Sequence, residues 1–332
     1  MTVLTSLAGI ESAAARIHTI VNRTPLVDVS WQAGHPLWLK CENLQVGGAF
    51  KIRGAFNMIA NLPDEARRRG VITYSSGNHA QAVAYAARSV GIPAVVVMPT
   101  TASAIKVTGT RAYGAEVQFE GTTSLERRAR AEQVASVRGL TIVPPFDHPD
   151  IIAGQGTVGR EILEDASSAG QVYVPIGGGG LIAGVSAAIK HLRPKTHVVG
   201  VEPVGAARMT ASLKAGQPVT LSAVASVADG LLPIRPGDCT FAHVQAFVDE
   251  VVTVDDTAII RAVKWLFQRT KLVVEPSGAA TLAAILFGPG NNQEPKAVSR
   301  RNSSSMAAAG PIVAVVSGGN ISLEALSKLI SQ

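Results

Sequence analysis

The stretch VYVPIGGGGLIAGVSAAIKHL, residues 172–192, decides the fold class of this chain. It begins with an apolar run typical of a buried strand, continues through the consecutive glycines 177–180, and ends in an apolar helical pattern. A strand that leads through a glycine turn into a helix is the repeating unit of a parallel α/β sheet. The N–H groups at the start of such a helix attract an anion, and glycine lets the backbone wrap it. We therefore expect a phosphate at this glycine turn.

Two alternatives to the phosphate remain open from the residues alone. The turn is also consistent with close packing and no ligand. A dinucleotide site is the other alternative, since Glu202 stands roughly where a ribose-binding acid would. The dinucleotide site is the weaker of the two, because the glycines are contiguous rather than spaced as G-x-G-x-x-G.

Strand-like and helix-like segments alternate on both sides of this stretch. The strand candidates are apolar throughout, which is typical of a parallel sheet covered by helices on both faces. These candidates are residues 71–74, 94–98, 115–119, 140–143, 172–176, 197–201, 251–254 and 312–316. The sequence therefore predicts an open, doubly wound α/β architecture.

The length of 332 residues suggests two domains, at about 150 residues each. Four of the strand candidates lie close together and suffice for a small doubly wound domain, which we assign to residues 70–147. Residues 1–60 and 149–332 are assigned to a larger, cofactor-binding domain, and the small domain is expected to move and to bind the substrate. Residues 288–310 are rich in Asn, Ser and Gly, which is typical of a mobile surface insertion.

Composition and charge exclude several classes of protein. Hydrophobic residues make up 47% of the chain and charged residues 16%, which excludes a coiled coil and wholesale disorder. The net charge of +6 comes with short arginine clusters that have no interleaved aromatics, so we expect no nucleic-acid partner. The uncharged run 166–189 contains Pro175 and four glycines, which argues against a membrane span. Cys41 and Cys239 form no metal or disulfide pattern, which predicts a reducing, cytoplasmic location.

A second candidate binding segment is SSGNHAQAVAYAA, residues 75–87. Here a strand ends in a polar turn that opens a helix. Ser76 and Asn78 then stand where side chains and backbone N–H groups converge on a ligand. The alternative is simple helix capping by Ser75 or Ser76.

Two further segments carry candidate chemistry. In GGAFKIRGAFNMIANL (47–62), Lys51 begins a helix, and burial would lower its pKa and make it an amine able to form a Schiff base. A lone lysine at such a position is more often a surface residue.

In VVSGGN (315–320), a buried strand ends at Ser317, whose hydroxyl is placed to face a ring nitrogen; an ordinary strand end is the alternative.

Together these segments resemble the fold-type II pyridoxal-phosphate enzymes, most closely the serine/threonine dehydratase and serine racemase branch. The resemblance covers nearly the whole chain. Its motifs, in family order, are TPL (24–26), K-x-E-N (40–43), FKIRGA (50–55), SSGNH (75–79), FDHPDIIAGQGT (146–157), GGGGL (177–181) and SGGN (317–320). The resemblance implies a tryptophan synthase beta-like fold with two open, doubly wound domains, and pyridoxal 5'-phosphate as the cofactor.

The resemblance also implies roles for individual residues. Lys51 would bind the cofactor covalently, with Phe50 beside it. Asn78 would hydrogen-bond the 3-oxygen of the cofactor ring, and Ser317 its nitrogen. Ser76 matches the hydroxyl that faces the lysine across the cofactor in racemases. The cofactor phosphate would be held by Gly177, Gly178, Gly179, Gly180 and the N–H group of Leu181. The substrate carboxylate would be held by Ser75, Ser76, Gly77, Asn78 and His79.

The activity implied is that of an ammonia-lyase (dehydratase) that converts a β-hydroxy-α-amino acid, such as threonine, serine or a bulkier phenylserine-like analogue, to a 2-oxo acid and ammonia. Serine racemase is the main alternative. β-Replacement, as in cysteine synthases, and a non-catalytic cofactor-binding protein are more remote. The resemblance further implies a homodimer, and residues 226–238 are expected to line the side-chain pocket.

One departure from the family concerns a metal. Some relatives bind a divalent cation through a Glu, a carbonyl four residues on, and an Asp two further. Glu202 and Ala206 fit, but the third position is Arg208. A cation does not accept a guanidinium as a ligand, so we expect no metal here. Arg208 is expected either to form an internal ion pair with Glu202 or to point to solvent.

Overall fold

The computed structural model describes residues 3–75, 77–102, 104–288, 298–299 and 310–331. The helices of these residues are α1 (Leu7–Ile17), α2 (Ser30–Ala33), α3 (Lys51–Ala60), α4 (Asp64–Arg69), α5 (Asn78–Ser89), α6 (Ala104–Ala112), α7 (Ser124–Arg138), α8 (Pro149–Asp165), α9 (Gly180–Leu192), α10 (Arg208–Ala215), α11 (Asp238–Phe247), α12 (Asp256–Trp265), α13 (Pro276–Phe287) and α14 (Leu323–Ser331). The strands are β1 (Leu26–Asp28), β2 (Leu37–Cys41), β3 (Val71–Tyr74), β4 (Ala94–Met98), β5 (Glu116–Phe119), β6 (Thr141–Ile142), β7 (Gln171–Pro175), β8 (His197–Pro203), β9 (Glu250–Val254), β10 (Val298–Ser299) and β11 (Ile312–Val316).

The described strands form two sheets. The larger has seven strands in the order β1-β2-β11-β7-β8-β9-β10, and the smaller has four in the order β5-β4-β3-β6. The smaller sheet is parallel throughout. The larger sheet is parallel across its five central strands, and an antiparallel strand pairs at each edge. The predicted α/β class with parallel sheets is confirmed.

The strands at the centre of each sheet are apolar because helices cover both faces. All five residues of β4 are buried, and so are Val313, Ala314, Val315 and Val316 of β11. Each of the eight strands predicted from apolar runs is present, with ends that shift by no more than two residues. The division into domains and the motion of the smaller one stay predictions. Most of the predicted insertion 288–310 lies outside the described residues, although Val298–Ser299 pairs with β9 as an edge strand.

The sequence analysis did not predict three strands: the edge strands β1 and β10 and the inner strand β2. A buried ion cluster explains why β2 was missed. Strand β2 contains Lys40, whose charge interrupts the apolar run. The Lys40 side chain is nonetheless fully buried, and its Nζ lies 2.6 Å from a carboxylate oxygen of Glu161 on α8. Arg53 on α3, also fully buried, contacts both Glu161 and Glu42. This cluster of Lys40, Glu42, Arg53 and Glu161 joins the helix that begins with Lys51 to the larger sheet.

Among the helices formed by the described residues, none combines the length and the apolar character that crossing a bilayer requires.

Candidate active site

Lys51 lies at the start of α3, and the backbone before it is fixed to the end of β11. The N–H group of Phe50 donates to the carbonyl of Ser317 at 3.1 Å, and that of Gly319 donates to the carbonyl of Gly48 at 2.9 Å. This short pairing places Lys51 beside the SGGN segment, although 266 residues separate Lys51 from Ser317 in the chain. The fold thus brings together two of the predicted site segments.

The environment of the Lys51 amine favours its neutral form. The side chain is partly buried, and its Nζ donates a hydrogen bond of 2.7 Å to the carbonyl of Pro145. Desolvation lowers the pKa of Lys51 to about 8, and the nearby carboxyl of Glu275 offsets part of this effect. A larger share of the amine is therefore unprotonated near neutral pH than in an exposed lysine, as a nucleophile toward a carbonyl requires.

The glycine turn lies on the far side of residues Pro145 and Phe146. A Cβ added at Gly178 would overlap the Phe146 ring, and Gly179 has a φ of +99°, which favours glycine. Close packing therefore explains part of the glycine run. Helix α9 begins at Gly180, so its first N–H groups have no partner within the helix and can donate to an anion. The glycines of the turn thus serve packing, and the N–H groups that follow them are available to an anion.

Asn78 connects the smaller sheet to the end of β11. It begins α5, directly after β3, and its Nδ2 donates to the carboxylate of Glu275 at 2.7 Å. Its Oδ1 accepts a hydrogen bond of 2.9 Å from Asn320. Asn320 also donates to the carbonyl of Gly47, four residues before Lys51. The amide of Asn78 is therefore held in a defined orientation near the lysine.

The sequence analysis missed Glu275. This carboxyl is buried just before α13, and burial raises its pKa to about 8, with the charge of Asp229 adding to the effect and Asn78 opposing it. A perturbed acid beside a perturbed lysine is typical of a catalytic site. A sequence signal that could have identified Glu275 is present: it is the one charged residue in the apolar stretch LVVEPSGAATLAAILF (272–287).

Four further residues of the predicted site are Ser75, Ser76, His79 and Ser317. Ser317 is buried at the end of β11, close to Lys51 through the backbone pairing described above. The ring of His79 is buried and its Nε2 is paired with the carbonyl of Val143 at 3.0 Å, and burial lowers its pKa to about 3, which keeps the ring neutral. Ser75 accepts a hydrogen bond from the N–H group of Gly77. Ser76 lies outside the described residues.

The segment 226–238 contacts the glycine turn, and its place in the side-chain pocket stays a prediction. A Cβ added at Gly177 would lie 3.1 Å from the carbonyl oxygen of Gly230 and 3.7 Å from atoms of Leu231. Arg235 in the same segment pairs with Asp238 at 2.6 Å and is partly exposed. Its guanidinium is thus already engaged at the surface.

The expectation that Arg208 points to solvent is wrong. Arg208 and Glu202 are both fully buried, and the guanidinium Nη2 lies 3.9 Å from Glu202 Oε2. The closer partners of Glu202 are the N–H groups of Met209 at 3.0 Å and Thr210 at 2.8 Å. The guanidinium instead donates to backbone carbonyls at the end of β7 and in the segment 226–238. Among the described residues no cluster of three or more His, Cys, Asp or Glu side chains is arranged to hold a metal ion.

These residues fit pyridoxal phosphate. The N–H groups at the start of α9 that have no partner within the helix would suit its phosphate, the Lys51 amine would suit its aldehyde, and Asn78 and Ser317 would offer polar groups to its ring.

Comparison with known proteins agrees with this chemistry. The family model described as "Pyridoxal-phosphate dependent enzyme" matches residues 17–300. The chain is 41% identical over 330 residues to an L-threonine ammonia-lyase of Thermotoga maritima, an alignment that covers 98% of this chain and 78% of the relative.

Solved structures give the same result. The structure of maize serine racemase superposes with a TM-score of 0.90 at 39% identity and covers 99% of this chain and 98% of the racemase. A threonine deaminase from T.th. superposes with a TM-score of 0.86 at 39% identity, covering 96% of this chain and 99% of the deaminase. With its fold, its lysine site and these relatives in agreement, the chain belongs to the pyridoxal-phosphate dependent enzymes.

Proposed function

We propose that this enzyme is an ammonia-lyase that converts a β-hydroxy-α-amino acid to a 2-oxo acid and ammonia, with L-threonine and L-serine as its first substrates. The observation that carries the proposal is the partly buried Lys51, whose pKa is about 8 and whose amine is close enough to Glu275, the partner of Asn78, for that carboxyl to affect its charge. The relatives named threonine ammonia-lyase and threonine deaminase support the substrate class.

Each residue of the site has a part in this proposal. Lys51 would hold the cofactor covalently and, once released by the substrate amine, take the α-proton on its Nζ. Asn78, fixed by Glu275 and Asn320, would orient the ring. The N–H groups of Gly177–Leu181 would hold the phosphate. Bound in this way, pyridoxal phosphate supplies an electron sink for the α-carbon of the substrate.

Ser317 bears on the type of reaction. A serine hydroxyl beside the ring nitrogen does not enforce its protonation as an aspartate would. Delocalisation of charge into the ring is then weaker, which favours early loss of a β-substituent over transamination. Among the described residues, the buried Ser317 hydroxyl has one long contact, of 3.5 Å to the carbonyl of Ser277, which leaves it free to take this part.

Partners and location complete the proposal. The start of α5, with residues 75–79, would hold the substrate carboxylate and close over it with the smaller sheet. We propose a homodimer in the cytoplasm, with an amino acid as its small-molecule partner.

The proposal is tested by a substrate screen. Purified enzyme is incubated with L-threonine, L-serine, 3-phenylserine and 3-hydroxyaspartate, and both 2-oxo acid and ammonia are measured. We expect equal amounts of the two products from at least one of these substrates. Chiral analysis of serine from the same incubations follows the racemase activity, since the maize serine racemase superposes closely on this chain. Racemisation faster than elimination on every substrate would overturn the lyase assignment.

Ser76→Ala separates the lyase from the racemase. If Lys51 alone handles the α-proton of L-substrates, the variant keeps most L-threonine elimination and loses racemisation and activity on D-serine, the latter by about 10²-fold or more. The measurement is kcat/KM for both enantiomers. Ser75→Ala removes another hydroxyl from the same turn, at a residue that would hold the carboxylate of either enantiomer, and should therefore change both kcat/KM values alike. Equal loss on both enantiomers would show that Ser76 acts on the carboxylate or on the fold instead.

A further inference from the structure

Arg208 is a fully buried charged side chain that the proposed mechanism does not use, and it approaches the glycine turn. It begins α10, and its side chain has no exposed surface. The guanidinium Nη2 donates to the carbonyl of Ile176 at 3.1 Å, and Nη1 donates to the carbonyls of Leu231 at 2.7 Å and Pro233 at 3.1 Å. All three acceptors are backbone atoms.

These acceptors belong to two walls of the same site. Ile176 directly precedes Gly177, the first residue of the glycine turn. Leu231 and Pro233 belong to the segment 226–238, which contacts the turn at Gly177. The guanidinium of Arg208 thus links the end of β7 to the segment 226–238. Glu202 holds Arg208 in place from the other side, because its carboxylate accepts the N–H groups of Met209 and Thr210 at the start of α10.

The energetics argue against a role in stability alone. Burying a charge is costly unless its donors are satisfied, and the Nε of Arg208 has no partner among the described atoms. The nearest carboxylate oxygen, on Glu202, is 3.9 Å away, too long for a hydrogen bond. A buried charge of this kind is therefore weak evidence for added stability, and in some proteins such a group serves to specify one arrangement of the backbone around it.

The geometry points to Arg208 as a positioning residue: its guanidinium sets the glycine turn against the segment 226–238 and thereby determines the affinity for the phosphate group of the cofactor. The inference rests on the proposed place of the phosphate at this turn. Arg208 itself does not touch the cofactor; it acts through the carbonyl of Ile176, which orients the peptide that leads into Gly177.

The test measures cofactor binding rather than turnover. Apoenzyme of Arg208→Met, which keeps an unbranched apolar stem and removes the guanidinium, is titrated with pyridoxal phosphate and followed by absorbance. We expect the dissociation constant to rise about tenfold, equivalent to about 1.4 kcal/mol. The cofactor-induced rise in melting temperature should shrink in parallel. Arg160→Met, which removes a partly exposed arginine paired with Glu164, is the control and should leave both values unchanged.

Arg208→Lys keeps the inference testable if the methionine variant does not fold. A lysine keeps the charge but cannot reach all three carbonyls with a planar fork, so we expect a rise of about threefold in the dissociation constant. The inference would be overturned if either folded variant had a lower melting temperature but a dissociation constant within twofold of wild type. Arg208 would then be purely structural. Cofactor binding and turnover of the wild-type enzyme test the proposed function separately.

Discussion

Lys51→Ala is expected to abolish turnover, by about 10³-fold or more, on every substrate that the wild-type enzyme accepts. The variant loses both the amine that would hold the cofactor and the base that would take the α-proton, and removing general base catalysis alone accounts for about 10²–10⁴-fold. The fold should survive, because the Lys51 side chain makes a single hydrogen bond to the residues that the structure describes, to the carbonyl of Pro145. Initial rates of 2-oxo acid formation, with cofactor in excess, provide the measurement.

A chemical measurement supports the kinetic one. Treatment of the wild-type holoenzyme with borohydride should fix the cofactor to the peptide that contains Lys51, and mass spectrometry should locate it there. Lys51→Ala should show no such label. Lys195→Ala, which removes an exposed lysine, is the control and should match the wild type in label and rate. Turnover of Lys51→Ala at the wild-type rate would contradict the central assignment of the site.

Arg53→Met is expected to destabilise the protein by about 3–5 kcal/mol, the usual cost of leaving buried charges without their partner. The guanidinium of Arg53 makes hydrogen bonds of 2.7–2.8 Å to both Glu42 and Glu161, and all three side chains are buried. Its removal leaves two carboxylates and only Lys40 to balance them. The midpoint of urea unfolding of the apoprotein, followed by circular dichroism, gives the size of the effect.

A surface ion pair provides the comparison for Arg53. Arg128→Met breaks a pair with Glu132 on the exposed face of α7, and we expect a cost of less than about 1 kcal/mol. Adding Glu42→Gln to Arg53→Met should recover part of the lost stability, because it removes one of the unpaired charges. Equal costs for the Arg53 and Arg128 variants would show that the buried cluster does not stabilise the start of α3.

Much of the fold could be predicted because the relevant signals are local. An apolar run such as Ala94–Met98 identifies a buried strand without reference to the rest of the chain, since every residue faces a covered surface. Where a buried charge interrupts the apolar run, the strand cannot be recognised from the local sequence. Strand β2 was missed for this reason, because Lys40 is buried only through its contact with Glu161, 121 residues away.

The class of the enzyme was also predictable, whereas the connections within the site were not. The motifs around Lys51, Asn78 and Ser317 each indicated a ligand, and the family is confirmed by the relatives. Nothing in the sequence indicated that Glu275 lies 2.7 Å from Asn78, which is 197 residues earlier in the chain.

The sequence by itself therefore determined the α/β class, the glycine turn, the cofactor and the lysine that would bind it, because each depends on residues adjacent in the chain. The tertiary structure decided which partners those residues meet. It buried Arg208 against Ile176 and Leu231, although a cation at a helix start is normally solvated, and it raised the pKa of Glu275 by removing its carboxyl from water. Desolvation and pairing over long chain distances depend on how helices and sheets pack, and only the folded chain brings those surfaces together.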